Sequence, residues 1–159
     1  MAINANIDRL KSEIEDTIII VTADHGHTDV KDLFLNDYPE IMECLKILPS
    51  MEPRAVSFHL RSECVADFPE KFNSLLGEYF ILVSHDRYIK EFLGPGIPHP
   101  RSEEFVGDFV AIAVKDRMLR YKPEGIKTDT FAAHHAGLTG PEMLVPLIVI
   151  DAGMLQNEK

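Results

Sequence analysis

Two short polar clusters carry the residue types from which a metal centre is built. The first is Thr22-Ala23-Asp24-His25-Gly26-His27. Asp24 offers a hard carboxylate oxygen and His25, directly beside it, an imidazole nitrogen. Such a mixed pair suits Zn²⁺ and can also take Mn²⁺. Gly26 lets the backbone turn sharply right after the two donors. The second cluster is His134-His135-Ala136-Gly137-Leu138-Thr139-Gly140-Pro141-Glu142, and neutral imidazole is the commonest metal ligand among side chains. Read alone, each cluster also fits an ordinary loop. Asp24 could cap a turn with His25 at the surface, and Thr139 to Glu142 could cap a turn of helix behind two uninvolved histidines.

The elements on either side show what would position these donors. Residues 17–21 form a continuous run of Thr, Ile and Val. A strand apolar on both faces belongs inside a parallel sheet covered by helices, and such sheets bind ligands beyond the carboxyl ends of their strands. Asp24 and His25 stand at such an end. Ahead of this strand, Ile3, Ile7, Leu10 and Ile14 recur at helical spacing. After the second cluster, residues 144–150 predict a closing buried strand in the same sheet. Between the clusters, the pattern predicts a helix over 39–48, a strand over 54–60, a helical stripe of Val65, Phe68, Phe72, Leu75 and Leu76, and a strand over 79–83. A short helix capped by Asp86 follows, then a Pro-rich loop over 94–100. Strands at 108–114 and 117–121 read as a hairpin turning at Lys115-Asp116. The expected fold class is α/β, with buried parallel strands in a core formed by residues 1–50 and 122–159 and an α+β subdomain inserted at 51–121.

A chain of 159 residues with 45% hydrophobic and 26% charged residues can bury a real core. Its net charge of −10 argues against non-specific nucleic-acid binding, which needs a basic footprint. No apolar run approaches the ~20 residues needed to span a bilayer. No signal peptide opens the sequence, and the expected location is cytoplasmic, although a longer parent could carry an upstream signal. Cys44 and Cys64 form no zinc-like spacing and read as free thiols in apolar stretches. His59 reads as a strand residue and His99 as part of the Pro-rich loop. Ser84-His85-Asp86 cannot form a catalytic triad from consecutive positions, because that geometry is spatial.

Taken together, a strand ending in TADHG and a later H-A-G-L-T-G-P-E-M-L-V-P-L-I stretch resemble the last two metal-ligand motifs of the alkaline phosphatase superfamily. The likeness is to its type I phosphodiesterase/nucleotide pyrophosphatase branch and the related cofactor-independent phosphoglycerate mutases. The resemblance covers the motifs and their flanking strands, while the middle of the chain matches in general character. It implies an alkaline-phosphatase-like core and two divalent ions, Zn²⁺ foremost and Mn²⁺ second. Asp24 and His25 would hold one ion and His135 the other. His135 fits the family position better than His134 because it directly precedes Ala136-Gly137. His27 matches no family ligand and reads as a loop residue. Glu142 is expected to support the loop by hydrogen bonding.

The family mechanism also needs an early Asp ligand, a Ser or Thr nucleophile at a helix start, and an Asp-x-x-x-His pair. None of these precedes Asp24. The expectation is therefore the C-terminal part of a two-metal phosphohydrolase acting on a small phosphoester, with its nucleophile outside this chain. With two protein ligands for one ion and one for the other, the chain alone should not turn over. Two alternatives stand beside this reading. One is a truncated, non-catalytic module that forms a homo-oligomer through an exposed sheet edge. The other is part of a metal-dependent phosphomutase.

Overall fold

The computed structural model describes residues 2–14 and 16–151. Its chain separates into two compact units, Met1–Asp24 with Val145–Lys159, and His25–Leu144. The terminal segment 152–159, which the sequence reading places in the core, lies outside the described residues.

The first unit holds helix α1 (Ala2–Glu13), strand β1 (Ile18–Thr22) and the closing strand of the chain, Leu147–Asp151. The first and last strands do share a sheet, as their sequences suggest. They pair antiparallel, with Ile18 opposite Asp151 and Thr22 opposite Leu147. Paired residues share a face, so Ile18, Ile20, Leu147 and Val149 lie on one side of the ribbon, and each is exposed.

The second unit contains the core. Its strands and helices run β2 (Thr28–Asp29), β3 (Lys31–Phe34), α2 (Pro39–Met42), β4 (Ser50–Glu52), β5 (Ala55–Phe58), α3 (Phe68–Leu76), β6 (Phe80–Ser84), α4 (His85–Glu91), α5 (Ser102–Phe105), β7 (Phe109–Ala113), β8 (Arg117–Arg120), β9 (Ala133–His134) and α6 (Gly140–Met143). The final strand Leu147–Asp151 is therefore β10. Four strands form an antiparallel sheet in the order β4-β5-β7-β6. All four residues of β5 are buried, as expected of a central strand with neighbours on both sides. Helix α3 presents Phe68, Phe72 and Leu76 at four-residue spacing, and all three are fully buried in a cluster with Phe58, Phe80 and Ala111.

Two middle elements differ from the sequence expectation. The helix begun at Pro39 ends at Met42, because Leu45 leaves it to bridge with Leu60 and the Lys46 N–H donates to the His59 carbonyl. The expected hairpin at Lys115-Asp116 does not form. Strand β7 pairs with β5 and β6, whereas β8 pairs with β3 in parallel, with Lys31 opposite Arg117 and Phe34 opposite Arg120. The backbone of β8 is also engaged by the Pro53 carbonyl, which accepts the Leu119 N–H. The Arg54 guanidinium donates to the carbonyls of Lys115 and Arg117 and holds that turn.

Candidate metal centre

The two polar clusters of the sequence meet through a pair of very short strands. Strands β2 and β9 pair antiparallel, with Thr28 opposite His134 and Asp29 opposite Ala133. The residues just before β2 and just after the start of β9 are therefore brought alongside each other. His25 and His135 stack with ring centroids 3.8 Å apart and planes within 11°. His27 completes the group at 5.3 Å from the His25 ring and 5.4 Å from the His135 ring. One nitrogen from each of His25, His27 and His135 lies within 4.8 Å of the others. Asp24, the remaining sequence-predicted ligand, is the last residue of the N-terminal segment of the first unit and is joined to His25 by the peptide bond.

The loop carrying His25 is held by close backbone contact. The Gly26 N–H donates to the Glu142 carbonyl at 2.9 Å. A Cβ at Gly26 would sit 1.8 Å from the Pro141 carbonyl oxygen, so this position excludes every side chain. His25 Nδ1 lies 2.9 Å from the Gly26 carbonyl. A proton on Nδ1 leaves Nε2 unprotonated, the form a metal requires.

The loop carrying His135 is held by a buried ion pair. Ala136 takes a positive φ of 82°, which turns the chain immediately after His135. Gly137 then packs where a Cβ would meet Arg54 Nη2 at 2.7 Å and the Ala113 carbonyl at 2.8 Å. Arg54, with no exposed surface, forms a bidentate pair with Glu142, Nε to Oε1 at 2.5 Å and Nη2 to Oε2 at 2.6 Å. The same carboxylate accepts the Gly137 N–H, the Thr139 N–H and the Thr139 hydroxyl. Burial alone would raise the Glu142 pKa. The hydrogen bonds from Arg54, Thr139 and Gly137 outweigh it and hold the group at about 2. Five donors fill both carboxylate oxygens, so Glu142 supports the loop by hydrogen bonding and has no lone pair left for an ion.

Electrostatics favours the ligating form of His135. Burial, and then the neighbouring His25, His134 and His27, push its pKa below the usual imidazole value against an opposing pull from Glu52. His134 Nδ1 accepts the His135 N–H at 2.9 Å. Glu52, His134 and His135 also bring one donor atom each within 4.8 Å. Glu52 ends β4 directly after Met51, whose φ of 69° is unusual for a residue with a side chain.

Sequence reasoning discounted His27 and did not find Glu52. The first follows a recognisable ligand pair at a two-residue offset, and in extended chain residues i and i+2 share a face. That signal was available. Glu52 depends on the strained Met51 backbone, and nothing local in the sequence marks it. Two candidate donor sets result, three imidazoles in one and a carboxylate with two imidazoles in the other, and a divalent ion of borderline softness accepts donors of both kinds.

No protein-family model matches the chain, and no curated protein does. Solved structures do. Phosphonoacetate hydrolase from Sinorhizobium meliloti 1021, determined in complex with phosphonoformate, superimposes with a TM-score of 0.63 at 19% identity, over 91% of this chain and 37% of that one. Murine ectonucleotide pyrophosphatase/phosphodiesterase 5 superimposes with a TM-score of 0.57 at 15% identity, over 93% of this chain and 38% of that one. Both are hydrolases of the alkaline phosphatase superfamily. The likeness shows the fold: mixed α/β and alkaline-phosphatase-like, spanning little more than a third of the length of the structures it matches.

Proposed function

We propose that this chain is the C-terminal part of a two-metal phosphoryl-transfer hydrolase of the phosphodiesterase/nucleotide pyrophosphatase kind, acting on a small phosphoester. Asp24 and His25 hold one divalent ion and His135 takes part in holding the second, with Zn²⁺ the best fit and Mn²⁺ the next. The observation that carries the reading is the meeting of His25 and His135, from loops far apart in sequence, at a ring separation of 3.8 Å. The fold around them superimposes on two hydrolases of one superfamily.

When bound, such ions would neutralise charge on a phosphoryl group. The chain's own residues position the donors. The Arg54–Glu142 pair fixes the loop that presents His135, and the Gly26–Glu142 backbone bond fixes the loop that presents His25. The sequence holds no recognisable nucleophile ahead of Asp24, so phosphoryl transfer would depend on residues beyond this set, and the chain alone does not turn over.

The test is metal content, together with turnover of p-nitrophenyl phosphate and bis-p-nitrophenyl phosphate, in added Zn²⁺ or Mn²⁺. The expected result is metal binding that weakens in His25→Ala and His135→Ala, with no turnover. Turnover abolished by both substitutions would show that the chain supplies a whole site. Metal binding unchanged in both would overturn the assignment.

A second reading, a non-catalytic module that self-associates, is favoured by one observation. The β1–β10 ribbon exposes Ile18, Ile20, Leu147 and Val149 on a single face, each more than half exposed.

A further inference from the structure

The two cysteines take no part in the metal centre, and the fold brings them together. Cys44 follows the end of α2, and Cys64 closes a short 3-10 turn over Ser62–Cys64 ahead of α3. Strands β4 and β5 lie between them in the chain. An antiparallel contact closes that gap. The Arg61 N–H donates to the Cys44 carbonyl at 2.9 Å, the Lys46 N–H to the His59 carbonyl at 2.9 Å, and Leu45 bridges with Leu60. The Cys64 N–H then donates to the Arg61 carbonyl at 2.9 Å, which folds Cys64 back toward Cys44. Both are free thiols. Cys44 is buried in the main apolar cluster, and half-buried Cys64 packs against that cluster.

The side chains meet as well. Hydrogen bonding with Cys44 pushes the Cys64 thiol up, and burial adds to it. From α3, Lys71 Nζ donates to Cys44 Sγ at 3.3 Å. The same contact raises the Lys71 pKa and so keeps its positive charge against the sulfur. While Cys44 holds its proton, its thiol donates to the Glu40 carbonyl at 3.4 Å.

We infer that Cys44 and Cys64 form a reversible disulfide site, closed by exchange with a small-molecule disulfide, that staples the segment carrying Arg54. A disulfide needs Cβ atoms about 3.5–4.5 Å apart, a spacing that sulfurs in mutual hydrogen-bond contact permit.

Exposure sets the order of steps. Cys64, the more accessible sulfur, attacks one sulfur of the incoming disulfide as a thiolate. A mixed disulfide forms at Cys64, and the other half of the reagent leaves as a thiolate. Cys44, as a thiolate facing the Lys71 ammonium, then attacks the Cys64 sulfur. The Cys44–Cys64 bond forms and the second half of the reagent leaves. The two protons given up by the cysteines pass to the two leaving thiolates. The cysteines lose two electrons in all, and the reagent gains them.

The closed loop includes Arg54, directly ahead of β5, whose pairing with Glu142 holds the loop that presents His135. A covalent link of this kind restricts the unfolded chain and so favours the folded one.

The experiment exposes the whole reduced chain to glutathione buffers of rising oxidised fraction. It is read by intact mass, non-reducing peptide mapping and thermal unfolding. Wild type is compared with Cys64→Ser, Cys44→Ala and Lys71→Met, each checked for folding by circular dichroism. The wild-type chain should lose two hydrogens, retain no glutathione and yield a linked Cys44–Cys64 peptide. It should unfold about 5 °C or more higher when oxidised, and dithiothreitol should reverse both changes. Cys44→Ala should retain one glutathione on Cys64, because the resolving sulfur is gone. Lys71→Met should close the bond several-fold more slowly, through the same adduct. Cys64→Ser should stay unmodified, because Cys44 is buried. A wild-type chain that keeps glutathione on Cys64, links its cysteines between chains, or stays reduced throughout the series would overturn the site. Equal unfolding temperatures for the oxidised and reduced chains would overturn the staple.

Discussion

The two units of this chain treat the same kind of residue in opposite ways. In the unit His25–Leu144, Ile41, Phe58, Phe68, Phe72 and Leu76 have no measurable exposure. In the unit formed by Met1–Asp24 and Val145–Lys159, the most apolar stretches of the sequence lie largely open, with Ile20 at 62% and Leu147 at 72% exposure. The difference lies in layers. The second unit has a four-stranded sheet with α3 packed upon it, which closes a core. The first has a two-stranded ribbon, and two strands alone cannot bury both of their faces. A sequence can therefore read as a core strand and still find no core within the segment at hand.

The sharpest way to break the comparison is at the ion pair that ties the second unit together. Arg54→Ala leaves the Glu142 carboxylate buried and short of its strongest partner. It also releases the carbonyls of Lys115 and Arg117. Removing one partner of a buried pair costs about 3–5 kcal/mol. Urea unfolding followed by circular dichroism should show that loss. A change below about 1 kcal/mol would mean that the unit is held elsewhere.

A matched pair of truncations measures the contrast directly. Ile41→Ala removes a fully buried side chain and should cost about 2–5 kcal/mol. Ile20→Ala, on the open face of β1, should cost under about 1 kcal/mol. Equal costs would show that the ribbon is covered in solution.

Acid should separate the units too. The Glu142 pKa is lowered to about 2 from its ordinary 4.5. A depressed carboxylate contributes stability that is complete above the ordinary value and is lost as pH falls through 4.5 toward 2. By linkage the contribution is about 3–4 kcal/mol at most. Stability of the wild-type chain should therefore fall over that window, and Glu142→Gln should show a flatter dependence there. Parallel curves for the two proteins would remove Glu142 as the acid-sensitive group.

Much of this architecture could be read from the sequence, and what could not has a common cause. The runs that became β1, β5, β6 and β7 announce themselves by branched and aromatic residues, and α3 by its four-residue stripe. His25 and His135 stand out because each sits in a motif of recognisable order. The parallel β3–β8 pairing was hidden, because Lys115-Asp116 between two strands is also what a hairpin turn looks like. Only the non-local demand of β3 and of the Arg54 side chain decides against the hairpin. Arg54 reads only as the first residue of a strand, yet it is completely buried, since its carboxylate partner lies far along the chain. Glu52 joins two histidines through a backbone turn at Met51 that no local pattern requires. Contacts that depend on two distant segments arriving together leave no periodic trace in either.

The smallest expected effect on folding carries the clearest answer about the ribbon. Ile20 and Val149 face each other across β1 and β10 on the exposed side. Ile20→Lys should change unfolding free energy by no more than about 0.5 kcal/mol, as exposed substitutions do. If a second copy of the chain covers this face, the charge would be trapped in an apolar contact at a cost of several kcal/mol. Sedimentation velocity across a concentration series should then show the wild-type chain associating and Ile20→Lys remaining monomeric. A wild-type chain that stays monomeric throughout would exclude self-association through the ribbon. The exposed apolar face would then be one suited to covering helices, the setting in which a strand apolar on both sides is ordinarily found.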